Sequence, residues 1–85
     1  MKNYSVYWSR RAHDALAEFW LEVDDRNAVA KAANPIDRLL DHDPANTGAD
    51  LHEGFRSLCI PPLRVVYEIR ESDRSVEIQR VSFIQ

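Results

Sequence analysis

The hydrophobic period of this chain changes from helical to strand-like at Gly54, and that change limits what it can fold into. Before Gly54, apolar residues recur every three or four positions. Ala12, Leu16, Phe19 and Val23 make one stripe, with Arg11, Asp14, Glu18 and Glu22 outside it. Ala28, Val29, Ala32, Ala33, Ile36, Leu39 and Leu40 make a second. This spacing puts apolar side chains on one face of an α-helix. After Gly54, β-branched and aromatic residues dominate and the period falls to two, the period of a strand. Helices followed by strands predict an α+β fold, with a mainly antiparallel sheet and both helices on one face.

Local signals set the boundaries. Tyr4-Ser5-Val6-Tyr7-Trp8 reads as an opening strand, and Ser9 as the cap of the first helix. Asp24-Asp25 ends that helix and caps the next. Pro35 lies within the second apolar stripe; it lacks a backbone donor and crowds the carbonyl of Lys31. A kink follows, or a break with Asn34 capping a shorter segment. Asp43-Pro44 ends the helix, because a residue before proline resists helical angles. Ala45 to Glu53 reads as a polar loop. Phe55–Ile60, Leu63–Arg70 and Ser75–Phe83 read as strands, separated by Pro61-Pro62 and by the polar turn Glu71-Ser72-Asp73-Arg74. Apolar parity in the last strand shifts from Val76 and Ile78 to Val81 and Phe83, which predicts a bulge near Gln79-Arg80. The predicted order is β-α-α-β-β-β, one domain over residues 1–85.

Eighty-five residues leave no room for separate cofactor and substrate halves, and no small-molecule cofactor is expected. So small a chain hides only about 60% of its unfolded surface, which favours a lasting partner. Cys59, the single cysteine, cannot form an internal disulfide; between Leu58 and Ile60 it reads as a small buried hydrophobe in a reducing compartment. The start, Met1-Lys2-Asn3-Tyr4-Ser5, lacks the apolar run of a signal peptide. The uncharged stretch from Ser57 to Leu63 falls far short of the ~20 residues that span a bilayer. A cytoplasmic protein with no membrane contact is expected. The net charge of −3 argues against a generic nucleic-acid binder. It is unevenly spread: residues 1–53 hold six basic and ten acidic side chains, whereas residues 54–85 hold five arginines against four acids.

Several segments together resemble the RelE/ParE superfamily of type II toxin–antitoxin toxins. They are Val6-Tyr7-Trp8-Ser9 with Ala12 and Leu16, Leu39-Leu40-Asp41-His42-Asp43-Pro44, Gly54-Phe55-Arg56-Ser57-Leu58, Leu63-Arg64-Val65-Val66-Tyr67-Glu68-Ile69, and Val76-Glu77-Ile78-Gln79-Arg80-Val81. The resemblance implies a RelE-like β-α-α-β-β-β toxin held inactive by a cognate antitoxin. It also implies one of two activities. RelE-like members cleave messenger RNA on the ribosome; ParE-like members inhibit DNA gyrase without nuclease chemistry. A degenerate relative that only binds is a third reading.

Cleavage through a ribose 2′-OH needs the hydroxyl activated, charge stabilised on the phosphate, and a proton given to the leaving oxygen. Arginine suits the phosphate, because its planar fork binds it bidentately. By resemblance, Arg64 is the first candidate catalytic residue and Arg56 the second, with Arg80 as a further RNA contact. For each, the plain alternative is a solvated or salt-bridged strand charge. Register decides whether Arg56 and Arg64 cooperate: if Leu58 lies across from Arg64 they share a face, and if Ile60 pairs with Leu63 they do not. The family's usual second basic residue is replaced by Leu58. Its C-terminal acid–base residues correspond to Ser82-Phe83-Ile84-Gln85, where Ser82 alone could exchange a proton. His52 beside Glu53 could reach the sheet as a general base. His42 between Asp41 and Asp43 could touch a metal, although sequence neighbours do not converge on one ion as i, i+4 pairs do. No metal site is expected. Tyr67 reads as core, and Trp8 and Trp20 as core or partner-interface residues.

Overall fold

A computed structural model describes residues 4–22 and 26–84. Its elements are β1 (Ser5–Trp8), α1 (Arg10–Glu22), α2 (Arg26–His42), β2 (Ala49–His52), β3 (Phe55–Ile60), β4 (Leu63–Arg70) and β5 (Ser75–Phe83). They form one five-stranded sheet in the order β1-β5-β4-β3-β2, parallel only between β1 and β5. The α+β class, the helix pair and the three later strands follow the sequence expectation. One strand was not expected: β2 lies inside the segment read as a polar loop. All four of its residues are exposed, so no apolar alternation marks it.

The core lies between the helices and one sheet face. Ala12 from α1 and Val29, Ala32, Ile36 and Leu40 from α2 meet Leu63, Val65 and Tyr67 of β4 and Val76, Ile78 and Val81 of β5. The α2 contacts keep the 3- and 4-residue spacing of its stripe; Leu39, on the flank, is 43% exposed. Pro35 does not break α2, which runs unbroken from Arg26 to His42, so no second segment begins at Asn34. Packing on both sides, at Ala32 and Ile36, outweighs the one lost backbone bond. Val23 and the expected Asp24-Asp25 cap lie outside the described residues.

Ser9 caps α1 as expected: its Oγ accepts from the Ala12 amide at 3.1 Å. The same hydroxyl donates to the Gln79 carbonyl at 3.2 Å, tying the helix start to β5. The pairing of β4 with β5 shifts between Val66/Arg80 and Tyr67/Ile78, leaving Gln79 unpaired; this is the expected bulge. The bulge keeps Val76, Ile78, Val81 and Phe83 on the core side although the sequence parity changes. Among the described residues, no helix is long and apolar enough to cross a membrane.

Candidate functional site

The register between β3 and β4 sorts the candidate residues. Ile60 pairs with Leu63, Leu58 with Val65 and Arg56 with Tyr67. Arg56 therefore shares the helix-side face with Tyr67, and Arg64 leaves by the opposite, open face, beside Cys59. The expected pairing of Arg56 with Arg64 on one phosphate is not built. Cys59 is exposed rather than buried: its apolar neighbours point one way and it points the other.

Arg56 is engaged in holding a loop. Its Nε donates to the Thr47 carbonyl at 3.1 Å, Nη2 to the Gly48 carbonyl at 3.2 Å, and Nη1 to Asp50 Oδ1 at 2.8 Å. Its side chain is 17% exposed, so these bonds are only partly screened. The buried Tyr67 hydroxyl donates to the Pro44 carbonyl at 2.8 Å and also meets the Thr47 carbonyl. Burial pushes the Tyr67 hydroxyl above its ordinary pKa, with the Arg56 guanidinium pulling the other way. The two side chains fasten the α2–β2 loop to the sheet and fix where β2 begins. A two-residue turn with positive φ at Glu53 and Gly54 then returns the chain into β3.

β2 in turn places His52 on the open face, paired with Phe55; their ring centroids are 5.4 Å apart, tilted by 48°. Both rings line a groove of about 640 Å³, together with Ser9, Arg11, Leu51, Val66, Gln79 and Arg80. Among the described residues, no acidic side chain lines it. Arg80 lies across from Val66 and Arg64 across from Ser82, so the two arginines are diagonal neighbours on β4 and β5, about 7–8 Å apart at the backbone. Arg11 and Arg80 also line an adjoining hollow with Ser82, and Arg64 stands beside it. Among the described residues, Arg11, Arg64 and Arg80 make no ion pair. At the other end of the open face the Arg70 charge is outweighed: its Nη2 meets Glu68 Oε1 at 3.1 Å and Glu77 Oε1 at 2.8 Å, two carboxylates to one guanidinium.

Of the sequence candidates, Arg64 and Arg80 thus lie on the open face and Arg56 on the helix side, while Arg11, which the sequence did not single out, lines the groove. Lying off the apolar stripe, Arg11 looked like any solvated helix residue; its placement depends on β1 stopping at Trp8, which lets α1 start beside the β5 bulge. His52 reaches the sheet face, as its alternative reading required. No group of three metal-ligating side chains converges among the described residues, His42 and its neighbours included. A separate apolar patch on α1 consists of Leu16, Ala17, Trp20 and Leu21 beside His13; Trp20 is 40% and Leu21 73% exposed.

No protein-family model matches the chain, and no curated protein matches it. Solved structures do. The chain superposes on a chain of the RelBE2 toxin–antitoxin complex from Mycobacterium tuberculosis with a TM-score of 0.79 and 22% identity, covering 98% of this chain and 93% of that one. For a YoeB/ParE toxin from Agrobacterium tumefaciens the TM-score is 0.71 at 23% identity, over 95% and 99% of the two chains. For the chromosomal ParDE system of P. aeruginosa it is 0.64 at 17% identity, over 98% of each. The chain has the fold of the RelE, ParE and YoeB toxins.

Proposed function

We propose that this chain is the toxin of a type II toxin–antitoxin system, that it acts on RNA through the open sheet face, and that ribosome-bound messenger RNA is its substrate. The carrying observation is that Arg11 and Arg80 line one groove, with Arg64 a diagonal neighbour of Arg80 on the same sheet face and, among the described residues, no acidic side chain in the groove lining. Exposed arginines beside an aromatic wall suit a phosphodiester backbone with unpaired bases. Arg64 and Arg80 hold the scissile phosphate and stabilise the charge it gains. The 2′-OH oxygen attacks phosphorus as the bond to the 5′ oxygen breaks, and water takes the hydroxyl proton. Among the described residues lining the groove none is placed to protonate that leaving oxygen, so water supplies that proton too and turnover is slow. Arg56 supports the site by holding the loop before β2.

The neighbours are toxins of toxin–antitoxin systems, two of them in complexes or systems with an antitoxin. A cognate antitoxin is accordingly the expected partner. The exposed Trp20 and Leu21 give such a partner an apolar surface.

A second reading, ParE-like inhibition of DNA gyrase without catalysis, is favoured by the missing leaving-group acid. Expressing the protein and mapping messenger RNA ends and plasmid supercoiling in parallel separates the two. New RNA ends at the ribosomal A site support the nuclease; relaxed DNA or double-strand breaks support gyrase inhibition. Full viability with neither change overturns both and leaves a binding-only relative.

A further inference from the structure

His52 and Phe55 belong neither to the core nor to the arginine cluster. They come from different strands, β2 and β3, and meet on the open face as a tilted ring pair. Phe55 is half-buried and His52 exposed, so the pair is anchored on one side and open on the other. With Leu51 it forms an apolar end of the groove, which Val66, across from Arg80, joins to the cationic end of Arg11 and Arg80. Phe55 on β3 and Arg80 on β5 are two strand spacings apart and two residues out of line, about 12 Å at the backbone. An extended arginine side chain shortens that gap to the distance between a phosphate and a nearby base.

We propose that the His52–Phe55 pair is a stacking platform for one unpaired nucleobase of a single-stranded RNA whose phosphates lie on Arg11, Arg64 and Arg80. This rests on the RNA reading of the open face and adds to it the ligand's orientation and a strand requirement. Base–aromatic stacking tolerates every base, because each has a π face, so the platform selects single strands over duplexes rather than one sequence over another. It also explains the division of the groove: an apolar end for the base and a cationic end for the backbone. A duplex, with its bases stacked internally, has no face to offer.

The test uses the full chain and a short single-stranded oligoribonucleotide carrying 2-aminopurine, whose fluorescence falls when it stacks. Wild-type protein is expected to quench the probe, to bind it with an affinity that falls as salt rises, and to bind an RNA duplex of the same length at least tenfold more weakly. His52→Ala is expected to lose about tenfold in affinity, together with most of the quenching, while its salt dependence stays the same. His52→Phe restores both. Arg80→Ala instead lowers the salt slope by about one and keeps the quenching of whatever is bound. His52 is exposed on an edge strand, so its variants can be shown to fold by an unchanged thermal transition. Salt-dependent binding with no quenching, or quenching that survives in His52→Ala, overturns the platform and leaves the RNA reading standing. No salt-dependent binding by the wild type overturns the RNA reading and the platform together.

Discussion

Arg56 and Arg64 sit on adjacent antiparallel strands and leave the sheet by opposite faces, because Ile60 pairs directly with Leu63 across the Pro61-Pro62 turn. The two candidate phosphate ligands are thereby assigned different work. Arg56→Ala removes charge-assisted bonds to two carbonyls and to Asp50 from a mostly covered site, and should cost about 2 kcal/mol, or roughly 10 °C in Tm for a domain this small. Arg64→Ala, at an exposed position without an ion pair among the described residues, should stay within about 0.5 kcal/mol of wild type. Thermal melts of the two variants check this directly; equal losses would contradict the division.

Tyr67 reports on the same loop through pH. Burial raises its hydroxyl pKa in the folded chain above the ordinary tyrosine value near 10. The unfolded chain therefore releases this proton first as pH rises. The stabilising contribution is complete below about pH 10 and declines as pH climbs through the higher folded value. Stability measured by urea titration should fall with pH in this alkaline range. Tyr67→Phe should flatten that fall and lower stability at neutral pH by about 1–2 kcal/mol, since the Pro44 and Thr47 carbonyls lose their donor.

These loop contacts were also the least visible from the sequence. The switch of period at Gly54, the cap at Ser9 and the parity shift in β5 are local signals, written within a few residues, and each predicted its element. β2 has no such signal. Its four residues are all exposed, and it exists because Arg56 and Tyr67 hold the preceding loop and the Glu53-Gly54 turn reverses the chain. Register between β3 and β4 was open for the same reason: both pairings suit the local composition, and a one-residue slip exchanges the faces of Arg56, Cys59 and Arg64. Arg11 joined the site through tertiary placement alone, as the start of α1 meets the bulge at Gln79.

The two glycines flank β2 and should respond differently to alanine. Gly48 has φ +72°, and an added Cβ would collide with the Ser57 carbonyl of β3. Backbone cannot yield cheaply there, so Gly48→Ala should cost more than about 3 kcal/mol or detach β2 from the sheet. Gly54 also has a positive φ, +86°, but its Cβ would meet nothing within 4 Å. Gly54→Ala should cost only about 1 kcal/mol, from the left-handed conformation alone. Hydrogen exchange at the Ser57 amide region, together with thermal melts, distinguishes local detachment from global loss.

Arginines on the open face should divide by whether their charge is already neutralised. Arg70 meets Glu68 and Glu77, and its guanidinium pKa is raised, first through the hydrogen bond to Glu68 and then through the Glu77 charge. Its charge is cancelled locally, so Arg70→Ala should leave growth arrest unchanged and barely move the melting temperature. Arg64→Ala should abolish growth arrest with the fold intact, and Arg80→Ala should weaken it. Arg11→Ala should weaken it as well, although nothing in the sequence around Arg11 marks it as part of a site. Growth curves after induction, with each variant's level and melting curve measured alongside, check the set. If Arg70→Ala were as damaging as Arg64→Ala, general positive charge would be what matters and the groove would have no privileged place.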